Sequence, residues 1–204
     1  MDGSKLSSPP PEIFTLTSLL SLLAVVLILT SAYATSLRIL PKSTTTKIRV
    51  LFVWHAFDAL THFTLEASYL WNVFFSFAPV SSYANISSSG FNYLPMTAPG
   101  VYFLSQPTRL YGAFYGTSPT AKLWQEYAKA DHRWGGSDLT VVSLELLTVL
   151  VMAPLAVYVC YLLRKLEYGK AWFWMTVIAT GELYGGNTNA LAISPLPQRM
   201  ITNQ

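Results

Sequence analysis

The sequence is poor in charge. Only 11% of its 204 residues are Asp, Glu, Lys or Arg, while 52% are hydrophobic. Soluble domains carry roughly 25% charged residues, so this chain cannot cover a folded surface with solvated groups. Disorder is excluded too, since it needs low hydrophobicity and high charge. Cysteine is nearly absent: Cys160 stands alone, which rules out an intrachain disulfide and a cysteine metal cluster. Glycine-rich nucleotide loops of the Gly-x-Gly-x-x-Gly or Walker type are missing, and so is the Gly-x-Ser-x-Gly nucleophile elbow. No cofactor is expected. The net charge of +3 comes from basic residues that flank apolar segments, a topology bias of membrane proteins, and nucleic acid is not an expected partner. The class that remains is an integral membrane protein.

What is present is long apolar runs. The expected fold is all-α, with four transmembrane helices at about 13–34, 50–77, 139–163 and 171–193, and a long loop between the second and third. Together 13–193 would form one transmembrane domain, between a disordered tail at 1–12 and a polar tail at 194–204. The first run also resembles a secretory signal, with Lys5 upstream and Ala32-Tyr33-Ala34 at its end, but it is longer than a signal core. A retained helix is the better reading. In the loop, 120–133 reads as a polar helix at the interface, broken by Gly135-Gly136.

Four spans put both termini on one side. The loops at 35–49 and 164–170 hold seven of the thirteen Lys/Arg, which favours the cytosol for them and the lumen for the long loop. The glycosylation sequon Asn85-Ile86-Ser87 in that loop agrees.

Four acids, Asp58, Glu66, Glu145 and Glu182, fall inside expected spans, together with His55 and His62. A charge at the bilayer centre costs about 2.5–3.5 kcal/mol on insertion scales, so these residues need a reason. Asp58, His62 and Glu66 stand at i, i+4 and i+8, and His55 and Tyr69 extend the same helical stripe. Such a stripe faces a bundle interior or a wet cavity. The expected catalytic set is His62, Glu66 and Glu145. Asp58, Tyr69 and Trp54 are the expected substrate contacts, joined by Tyr184 on the family resemblance given below, with Trp71 a further candidate for the cavity wall. Burial and mutual coupling let one such group donate a proton and another accept it. Aromatic walls suit a lipid-like substrate and a transient carbocation. Acid–base chemistry on a hydrocarbon follows, such as moving a double bond. The competing structural reading, in which polar pairs only hold helices together, fits His55, Asp58 and Glu182 better than the catalytic set. A metal is not expected: His62 and Glu66 could both ligate zinc, but His-Glu-x-x-His is absent and His62 is the sole clear nitrogen ligand.

The run Leu60-Thr61-His62-Phe63-Thr64-Leu65-Glu66 and the run Leu123-Trp124-Gln125-Glu126-Tyr127-Ala128-Lys129-Ala130-Asp131-His132-Arg133 resemble the emopamil-binding protein (EXPERA domain) family. So do Asp138-Leu139-Thr140-Val141, Leu144-Glu145 with Thr148, and Gly181 with Tyr184-Gly185, in the family's order. The similarity covers roughly 13–185, with spellings of fungal type. It implies a multi-pass protein of the endoplasmic reticulum membrane. It also implies an isomerase that moves a sterol ring double bond from Δ8 to Δ7 through a carbocation, in sterol biosynthesis or in secondary metabolism. His62, Glu66 and Glu145 match the family's acid–base residues. The implied partners are a sterol-like or terpenoid substrate and the bilayer, and a homodimer is compatible. The family bundle has five helices and the resemblance stops at Gly185, so a C-terminally truncated form is expected. A non-catalytic sterol- or amine-binding protein is the alternative.

Overall fold

The structure, a computed structural model, describes residues 15–82 and 100–193, with side chains as far as Gly185. Both tails and the sequon at 85–87 lie outside the described residues.

Helix α1 (Leu16–Ile39) starts where Thr15 caps it, its hydroxyl accepting from the Ser18 amide at 3.1 Å. The expected span at 13–34 is thus shifted toward the C-terminus. Its leucines face outward: Leu16, Leu19, Leu20, Leu22 and Leu23 are exposed, and only Ala32 and Ser36 are buried. An apolar helix with almost no protein cover suits a lipid environment.

Helix α2 (Thr46–Thr61), a π-turn at His62–Glu66 and helix α3 (Ala67–Phe75) follow one another without a break. Further on, α5 (Leu139–Leu147), a second π-turn at Thr148–Met152 and α6 (Ala153–Arg164) make another continuous helix, capped by Asp138. Pro154 explains the second π-turn. Its ring cannot donate to the carbonyl of Leu150 and crowds it, and a locally widened helix relieves both problems. Helix α7 (Tyr168–Ile193) closes the described chain.

Among the described residues, two helices are long and apolar enough to cross a membrane, α1 and Leu139–Arg164. The other two expected spans are helical as well, but their ionisable and polar side chains dilute their hydropathy.

The fold is not purely α. Strands β1 (Phe77–Pro79) and β2 (Arg109–Tyr111) pair antiparallel, Phe77 opposite Tyr111, and order part of the long loop. The expected polar helix is shorter than its pattern: α4 (Pro119–Tyr127) begins at the Ser118 cap and ends before a 3-10 turn at His132–Gly135. Asp131 starts that turn, capping the Arg133 amide and pairing with the guanidinium at 2.7 Å.

Two cores result. Phe52 and Ala59 of α2, Ala156, Val159, Leu162 and Leu163 of α6, and Ala171 and Ile178 of α7 form the first. Its small residues let the helix backbones approach closely. Tyr69, Leu70 and Val73 of α3, Trp124 of α4, and Val141 and Val142 of α5 form the second. Along the chain, His62 falls between Ala59 and Tyr69, and Thr148 between Val142 and Met152. The two π-turns meet where the cores join.

Candidate functional site

The acids singled out from sequence converge on that seam. His62 is buried, and its Nδ1 meets Glu66 Oε2 at 2.5 Å. On the other side of the ring, Nε2 stands 3.3 Å from Asp58 Oδ1. The Thr148 hydroxyl donates to the same Glu66 oxygen at 2.7 Å and lies 3.2 Å from the Glu145 carbonyl. Glu145 is 3% exposed and near enough to Glu66 for the two carboxyls to interact electrostatically, while its Oε2 makes no hydrogen bond. The two π-turns make this meeting close. One ends at Glu66, the other begins at Thr148, and they touch. Widened turns of this kind recur at functional sites.

Of the residues singled out from sequence, Asp58, His62, Glu66 and Glu145 come together. Glu182 of α7 joins them beside Asp58 and His62, although spacing alone favoured a structural role for it. Thr148 is the residue whose contact was not foreseen; its hydroxyl bridges helices that the sequence cannot pair.

The expected substrate contacts are more scattered. Tyr69 has no exposed surface. Its ring packs edge-on against Trp124 and Trp134, each at 5.3 Å between centroids, and its hydroxyl donates to the Gly136 carbonyl at 3.4 Å. It sits behind the site as a wall of the second core. Trp54 projects from another face of α2 into a groove of about 640 Å³ between α1 and α2, beside Val25, Leu29, Arg49 and Phe57. Trp71 is exposed and packs against Phe75 with the rings tilted by 39°. Tyr184 is largely exposed.

Outside the bundle, Asp131 and Arg133 fix the turn that carries Gly136. The Arg133 guanidinium holds the Asp131 carboxyl below the usual carboxylate range. Lys129 does the same for Glu126, which also accepts from Ser18 at 2.9 Å and so ties α4 to α1.

Against this geometry, known proteins give a consistent comparison. The family model described as EBP: EXPERA (EXPanded EBP superfamily) matches residues 119–192. That segment runs from α4 into α7 and includes Glu145, Thr148 and Glu182. A probable 3-beta-hydroxysteroid-Delta(8),Delta(7)-isomerase of Arabidopsis thaliana is 27% identical over 137 residues, 67% of this chain. The match takes in 45% of that relative, so the chain spans a little under half the length of the curated relative it matches.

Proposed function

We propose that this EXPERA chain is a membrane isomerase that shifts a ring double bond from Δ8 to Δ7 in a sterol or related terpenoid. The observation that carries it is the convergence of His62, Glu66, Thr148 and the buried Glu145 inside an apolar bundle. Two interacting carboxyl groups in such a setting cannot both be ionised at low cost, so they hold a proton between them. An isomerisation needs this device. One carboxyl gives its proton to the ring double bond, leaving a carbocation, and a carboxylate then takes a proton from a neighbouring ring carbon. No proton is gained or lost overall. His62 orients Glu66 through Nδ1, and Thr148 supports the carboxylate. The packed Tyr69, Trp124 and Trp134 keep water from one side of the site, and water would quench the cation.

In this reading residues 13–193 form one domain with four spans in the endoplasmic reticulum membrane. Helix α2–α3 and helix α7 cross with their polar faces turned inward.

Expression in a strain lacking Δ8–Δ7 isomerase, with sterols read by mass spectrometry, tests the assignment. Δ8-sterol should fall and Δ7-sterol should rise. An unchanged Δ8 pool despite good expression overturns the sterol version. The α1–α2 groove favours a second reading, a sterol- or amine-binding protein without turnover, because its lining includes neither Glu66 nor Glu145. Saturable sterol binding that Trp54→Ala weakens, with no isomerised product, would select it.

A further inference from the structure

Carboxyl groups outnumber basic groups at the seam. His62 pairs with both Asp58 and Glu66, and Glu182 lies beside Asp58 and His62. Glu66 is well satisfied by His62 and Thr148. The opposite side of the His62 ring is not. His62 is 6% exposed, and its Nε2 makes no hydrogen bond although Asp58 Oδ1 is 3.3 Å away. The second Asp58 oxygen and Glu182 Oε1 are also buried without a hydrogen-bond partner. One ligating atom from each of Asp58, His62 and Glu182 lies within 4.8 Å of the others.

The His62–Asp58 ion pair at 3.3 Å neutralises one carboxylate at most, so the second acid beside it, Glu182, leaves a positive charge to be supplied. Tetrahedral zinc binds nitrogen and carboxylate oxygen at about 2.0–2.2 Å, which sets neighbouring ligand atoms roughly 3.3–3.5 Å apart. The separation between His62 Nε2 and Asp58 Oδ1 fits that edge. The remaining ring nitrogen supplies a second, independent sign. A metal-binding imidazole commonly gives its other N–H to a carboxylate, which fixes its orientation, and His62 Nδ1 does so to Glu66. Considered as a pair along the chain, His62 and Glu66 looked like too small a ligand set. Folding turns the free ring nitrogen toward a different pair of acids.

We propose that Asp58, His62 and Glu182 bind a divalent transition-metal ion of the zinc type. Glu66 holds the ring, and the ion ties α7 to α2. The proposal does not depend on the isomerase reading, and its test involves no sterol.

The full chain, purified in mild detergent with any tag removed, is stripped by chelator and dialysed. It is then titrated with Zn²⁺ and with Co²⁺. Mass spectrometry should find one zinc per chain, and Co²⁺ should develop visible d–d bands that Zn²⁺ displaces. Asp58→Asn and Glu182→Gln should each weaken binding about tenfold or more, and Glu66→Gln by about 10–100-fold, as loss of an outer-shell partner does. Glu167→Gln, at a half-buried surface residue paired with Lys170, should leave binding unchanged. Substoichiometric zinc, or a Co²⁺ spectrum of the hydrated ion, overturns the proposal on the unmodified chain alone. Equal affinity in Asp58→Asn and Glu182→Gln overturns the ligand assignment.

Discussion

Glu66 is the residue on which the site turns. It accepts from His62 on its own helix and from Thr148 on another, and it faces Glu145. A hydrogen bond to a charged group contributes about 1.5–3 kcal/mol. Thr148→Val, which keeps the shape and removes the donor, should therefore lower kcat about tenfold or more with little change in KM. An unchanged kcat would mean that Thr148 has no part in the chemistry. The stripe of Asp58, His62 and Glu66 was legible because one helix repeats every 3.6 residues. Thr148 and the grouping of Glu182 were not, since they depend on which helices meet. Trp54 and Tyr184 show the converse. Nearness in sequence, or a family position, gives no facing direction.

At the scale of elements, the two π-turns carry the argument. Each adds a residue to its helix, and together they bring Glu66 to Thr148. Deleting Phe63, a largely exposed member of the first π-turn, would restore regular α geometry. Glu66 would then follow His62 by three residues on a regular turn, and the widening that brings it to Thr148 would be lost. Isomerase activity should vanish while circular dichroism keeps its helical signal. Full activity in the deletion would sink the role given to the turn. Pro154 marks the second π-turn in the sequence, but nothing comparable marks the first. The long loop contains another element-level constraint. Gly112 has φ of +133°, and a Cβ there would lie 2.5 Å from the Gly135 carbonyl oxygen. Gly112→Ala should destabilise the protein by about 1–3 kcal/mol or more, visible as a lower Tm. The strand pair and the short α4 escaped sequence reading because contacts with α3 and the 132–136 turn set their limits.

For the whole molecule, membrane class follows from composition, and the exposed leucines of α1 agree with it. The protein should stay in the pellet after alkaline carbonate extraction and enter solution with detergent; release by carbonate alone would contradict an integral location. Acid sensitivity is expected at the turn that Asp131 and Arg133 hold. The Asp131 carboxyl has a lowered folded-state pKa, so its pairing with Arg133 stabilises the fold above the ordinary aspartate range. That contribution is lost as pH falls through the lowered value. Asp131→Asn should remove it at neutral pH and flatten the acid limb of the stability profile, measured by thermal unfolding between about pH 2 and 7. Four acids inside a chain so poor in charge remain the feature that a structural role explains least well.

The most direct measurement is turnover of a Δ8-sterol by the full chain reconstituted in lipid vesicles. The account predicts Δ7-sterol from the unmodified protein. Glu66→Gln and Glu145→Gln should each lower the rate by about 10²–10⁴-fold, the usual contribution of a positioned acid or base. Undiminished conversion in both variants would contradict it.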